Sequence, residues 1–122
     1  MDKKYWLADP EAHDFPAAMD YLELLFPKQT VKSLVDKLRK SSTIQKKAKD
    51  VLRASGLSLL PKENIHVKDN LKKVKKGKKL SPVLLVSCER LIIADGYHRV
   101  CAIYYLSEDL EIPCRLVSKE DS

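Results

Sequence analysis

A chain of 122 residues allows one compact core but not two, and a hydrophobic fraction of 44% supports folding. No apolar run approaches the roughly eighteen residues that a membrane helix needs, and Met1-Asp2-Lys3-Lys4 leads into no signal-peptide core. The expectation is a single cytoplasmic domain over residues 1–122 with no membrane partner. The net charge of +6 is uneven: residues 1–27 carry two lysines against six acids, residues 28–79 seventeen Lys or Arg against four acids, and residues 80–122 four against seven.

In chain order, Asp14 followed by Pro16 predicts the opening of a short first helix, with Ala17, Ala18, Tyr21, Leu22, Leu24 and Leu25 as its apolar stripe up to Pro27. Thr30 is placed to cap a second helix, in which Val31, Leu34, Val35 and Leu38 recur at the spacing of one face. Ser42 or Thr43 predicts a third, carrying Ile44, Ala48, Val51 and Leu52 and ending at a left-handed Gly56. Residues 1–56 are thus expected to be a helical N-terminal part, with three helices ahead of any strand. Ile65-His66-Val67 reads as a short strand, and Asp69 as the cap of a brief lysine-rich helix ending at Gly77.

Val83–Val86 and Leu91–Ala94 are β-rich runs at hairpin spacing. Asp95-Gly96 breaks the second, Val100 to Leu106 is helical in pattern, and Ile112–Val117 closes the chain as a strand. The fold class is α+β. Cys88, Cys101 and Cys114, thirteen residues apart each time, lack the close pairing of zinc or redox motifs and are expected to be core thiols, with no metal site assigned. His13, His66 and His98 are scattered, no two of them at helix or turn spacing.

The corner Asp95-Gly96-Tyr97-His98-Arg99 concentrates the chemistry. A strand ending at Ala94 and a helix starting near Tyr97 leave first-turn amides without partners, and Gly96 permits a tight bend and close approach of a ligand. The helix dipole, the planar donor fork of Arg99 and the ring of His98 suit a phosphate. Asp95 would orient Arg99 or hold a metal ion beside the phosphates, and is the candidate catalytic residue. The competing reading makes Asp95 a simple cap, pairs Arg99 with Glu108 or Glu111, and leaves His98 on the surface.

Leu80-Ser81-Pro82-Val83-Leu84-Leu85-Val86, Ile92 to Ala102 and Ile112-Pro113-Cys114-Arg115-Leu116-Val117 together resemble the ParB/sulfiredoxin superfamily over about residues 80–117. The resemblance implies a small mixed sheet with packed helices over residues 57–122, preceded by the helical part. It also implies a nucleotide-binding site in which Gly96, His98, Arg99 and Ala102 fall on the phosphate-binding turn. Its ligand would be a nucleoside di- or triphosphate, ATP, ADP or CTP, with Mg as a possible companion, and Gly96, Tyr97, His98 and Arg99 are the ligand-binding candidates. Tyr97 stands where sulfiredoxins carry their reactive Cys, and a phenol cannot replace a thiolate in sulfinic acid repair. ADP-dependent serine kinases resemble a third branch, whose acidic base Glu63 or Asp69 would match by position only. The reactions the resemblance implies are NTP hydrolysis or phosphotransfer.

Lys68, Lys72, Lys73, Lys75, Lys76, Lys78 and Lys79 crowd the stretch before Pro82. Lys72, Lys73, Lys75, Lys76, Lys78 and Lys79 carry the alternative, a nucleic-acid accessory protein that contacts the phosphate backbone, since the run has no aromatic residue to stack bases and no arginine to read a base edge. A lysine reaching over the corner to hold a nucleotide is a further possibility, and a solvated face the plainest.

Overall fold

A computed structural model describes residues 3–121. Among them are five α-helices, α1 (Asp14–Leu22), α2 (Lys28–Lys40), α3 (Ala48–Ser55), α4 (Ile65–Lys75) and α5 (Tyr97–Leu106). Four strands, β1 (Ile44–Lys47), β2 (Val83–Ser87), β3 (Leu91–Asp95) and β4 (Glu111–Ser118), form one mixed sheet in the order β1-β4-β2-β3. The fold is α+β. No helix is long and apolar enough to cross a membrane among the described residues.

Strand β2 explains the layering. Its run Val83-Leu84-Leu85-Val86 is buried on both faces, which is why it reads as continuously apolar rather than alternating. Leu84 and Val86 pack with Phe15, Ala18, Leu22, Leu34 and Leu38 of α1 and α2. Val83 and Leu85 face the opposite way, into a cluster with Val51, Val67, Val100, Ile103 and Ile112, so α3, α4 and α5 cover that face. β3 returns antiparallel to β2, and α5 then carries the chain to β4, which lies parallel to β2 on its other side.

Two expected elements differ. Residues 44–47 are not the first turn of a third helix but strand β1, with Ile44 opposite Cys114 and Lys47 opposite Glu111. Two α-helices, not three, precede the first strand among the described residues. The cause lies at the far end of the chain: the amides of Ala48 and Lys49 donate to the carbonyls of Leu110 (2.9 Å) and Glu108 (3.0 Å), so the turn before β4 supplies the partners that fix where α3 begins.

Likewise, Ile65-His66-Val67 is helical. Asn64, not Asp69, caps α4, its Oδ1 accepting from the amides of His66 (3.0 Å) and Val67 (3.2 Å). Val67, Leu71 and Val74 then form the inward stripe. Asp14 opens α1 without capping it: 2% exposed, it accepts from the Glu11 amide at 2.9 Å. Thr30 lies inside α2, which follows directly on the extended Pro27. Cys101 and Cys114 are core thiols as expected, whereas Cys88 is exposed in the hairpin turn.

Arg115 of β4 closes the C-terminus of α2. Its guanidinium donates to the carbonyls of Leu38 (3.2 Å) and Arg39 (2.8 Å), to Thr43 Oγ1 (3.3 Å) and to Asp9 (3.2 Å). The Leu38 carbonyl also accepts from the Ser41 hydroxyl at 2.9 Å, and charge-assisted bonds to helix-end carbonyls are worth more than exposed pairs. Arg115→Ala should therefore lower unfolding stability by about 2 kcal/mol, read from urea denaturation; a loss below about 0.5 kcal/mol would show that the latch is decorative.

Candidate functional site

The corner is built around one backbone conformation. Gly96, between β3 and α5, has φ 113°, and a Cβ there would lie 2.9 Å from Val83 Cγ2 and 3.0 Å from an Arg99 Nη. Any other residue is thus strained twice, by the left-handed backbone and by the contact with β2. The first α-helical bond of α5 runs from the Val100 amide to the Gly96 carbonyl at 3.0 Å, and no side chain caps the helix start. The amides of Tyr97, His98 and Arg99 therefore remain at the positive end of the α5 dipole.

Arg99 turns back over that bend. One Nη donates to Asp95 Oδ2 at 3.0 Å and to the Pro82 carbonyl at 3.3 Å. Its Nε is buried with no hydrogen-bond partner among the described residues. Arg99 pairs with Asp95 rather than Glu108 or Glu111, and the two side chains are only 16% and 19% exposed. Burial pushes the Asp95 carboxyl above its ordinary value despite the neighbouring Arg99, and the buried Asp14 carboxyl from α1 adds to that push.

Gly96, His98, Arg99 and Asp95 open onto a cleft of about 430 Å³ whose opposite wall is α4. Lys72, Lys73, Lys76 and Lys78 line that wall together with His66, Asp69 and Asn70. The lysines reach it because of how α4 ends. The Gly77 amide bonds the Val74 carbonyl (3.0 Å) and the Lys78 amide bonds the Lys73 carbonyl (2.8 Å) around a left-handed Gly77, which is a Schellman turn. That turn brings Lys78 back to the cleft behind Lys72, Lys73 and Lys76.

Of the other candidates, Lys75, Lys79 and Glu63 do not line the cleft, and Tyr97 is turned out of it. The Tyr97 hydroxyl donates to the Ser58 carbonyl, and Tyr105, two turns further along α5, donates to the Leu60 carbonyl at 2.6 Å. These two bonds hold residues 58–60 on α5 and so lead α4 alongside it.

Sequence reasoning missed His66 and Asn70. His66, Asp69, Asn70, Lys73 and Lys76 recur at the spacing of one helical face, complementary to the Val67-Leu71-Val74 stripe, and that was the available signal. The two cleft histidines meet across the helix pair, His66 and His98 ring centroids lying 4.7 Å apart. Burial first, then His66 and Arg99 nearby, hold the His98 imidazole below its ordinary value.

Among the described residues no three His, Cys, Asp or Glu side chains are grouped so that they could hold a metal ion. The chain matches no family model, no curated protein and no solved structure.

Because the folded-state value of His98 is depressed, its share of stability is present above the ordinary imidazole range and lost as pH falls through the lowered value. An NMR titration should place the His98 midpoint below about 6.5, and His66→Ala should move it upward. A midpoint at or above the ordinary value would contradict the crowding described here.

Proposed function

We propose that this chain is a nucleotide-binding protein of the ParB/sulfiredoxin-like kind, holding the phosphate chain of a nucleoside di- or triphosphate in the cleft between α4 and α5. One observation carries the reading: the lysine-rich segment and the Gly96 corner, each suggestive of phosphate on its own, line the same cavity. Terminal phosphates would sit against the amides of Tyr97, His98 and Arg99, with the Arg99 guanidinium beside them and the ammonium groups of Lys72, Lys73, Lys76 and Lys78 across the gap.

Asp95 acts in this reading as the carboxylate that positions Arg99, since its Oδ2 is already engaged by that guanidinium. Asp69, the other acid of the lining, is the carboxylate open to a Mg ion arriving with the phosphates, which would keep most of its waters. If the bound nucleotide reacts, Arg99 and the helix start stabilise charge on the transferred group.

The second reading is backbone binding to nucleic acid. It is favoured by Lys75 and Lys79, which are exposed and extend the positive surface beyond the cleft. Salt separates the two, because contacts with a backbone alone weaken steeply with ionic strength.

A thermal-shift panel of nucleoside di- and triphosphates, with and without Mg, tests the proposal. A ligand at a hundred times its dissociation constant should stabilise the wild type by about 2.7 kcal/mol. Arg99→Ala and the exposed Lys76→Glu should both reduce the shift. Equal shifts in all three proteins would remove the ligand from this cleft, and inorganic phosphate release in the same samples reports any hydrolysis.

A further inference from the structure

The lining of the cleft differs from that of most small-molecule sites, which are largely apolar with a few placed polar groups. No aliphatic side chain and no Phe, Tyr or Trp lines it among the described residues. Tyr97, the aromatic residue of the corner, is committed to the Ser58 carbonyl. The His66 and His98 rings, tilted at 58° with centroids 4.7 Å apart, contact each other and leave no parallel slot for a base between them. A planar heterocycle thus finds no Phe, Tyr or Trp ring in the lining to stack on, and no slot between the two imidazoles.

Charge, by contrast, is abundant and ordered. Four ammonium groups and one guanidinium face two carboxylates, and one of those, Asp95, is paired with the guanidinium. Lys72 and Lys76 are one turn apart, about 6 Å along α4, so their ammonium groups can meet successive groups of an extended anion. The free amides of α5 receive one end of such a chain, and Lys78, past the Schellman turn, adds a further contact along it.

We infer that the cleft recognises a run of two or three condensed phosphates as such, and is indifferent to the nucleoside attached to it. This rests on the phosphate-binding reading above and narrows it: nucleoside triphosphates of any base and free tripolyphosphate belong to one ligand class here, and a nucleoside monophosphate falls outside it.

The test is a calorimetric series on the wild-type chain at fixed, moderate salt with ATP, GTP, CTP, ADP, AMP, pyrophosphate, tripolyphosphate and a short single-stranded DNA. Tripolyphosphate and the three triphosphates should bind within about threefold of one another, with AMP about a hundredfold weaker. Binding of one triphosphate over the others by more than about tenfold, or failure of tripolyphosphate to displace ATP, overturns the inference while leaving nucleotide binding intact. If none of the small phosphates binds, both readings fall. Displacement of tripolyphosphate by the oligonucleotide at equal phosphate concentration overturns the inference in favour of nucleic acid.

Discussion

The left-handed bend at Gly96 is the constraint on which the rest of the site depends. It ends β3 against the side chain of Val83, so the corner is pressed onto the central strand with no space for a Cβ. From that bend α5 starts with its first amides outside the helix's own bonding, and Arg99, three residues on, folds back to the end of β3. The Asp95–Arg99 pair, largely withdrawn from water, then fixes the guanidinium in one orientation. An isolated pair on an open surface contributes about 1 kcal/mol or less and orients little; here the Pro82 carbonyl and the packing of Gly96 hold the same group from two further sides.

A second set of contacts determines what faces the corner. Tyr97 and Tyr105 fasten the segment after α3 along α5, and the Asn64 cap sets the rotation of α4 as it begins. With Val67, Leu71 and Val74 turned inward, the polar residues that flank that stripe, His66, Asn70 and Lys73, come to the rim of the corner. Lysines that repel one another gather around a hollow, an arrangement that the multivalent anion proposed above would relieve. Fold and chemistry meet at this point: the cap, the stripe and the Schellman turn are local devices whose joint result is a concentrated positive field.

The elements legible in the sequence were those whose signals are local. The β2–β3 hairpin, the Gly96 break, α5 and the last strand follow from β-rich runs and a glycine in the chain itself; of the roles considered for Asp95, the contact with Arg99 is the one the fold forms. β1 was illegible because its strand state is conferred by β4, nearly seventy residues away, and the start of α3 because its amides bond to the turn after α5. The strand expected at Ile65–Val67 rested on β-branched residues, and the Asn64 cap outweighed that preference. At the site, the corner and the lysines were each visible alone; their meeting, and that of His66 with His98, are consequences of packing that no local pattern contains.

The most direct test of the central claim, that the corner and the lysine helix serve one anion, is a titration of tripolyphosphate into isotopically labelled protein followed by amide NMR. The account requires the resonances of Gly96 to Arg99 and those of Lys72 to Lys78 to move together with a single midpoint. Movement confined to the lysine segment, with Gly96 to Arg99 unchanged at saturation, would contradict it.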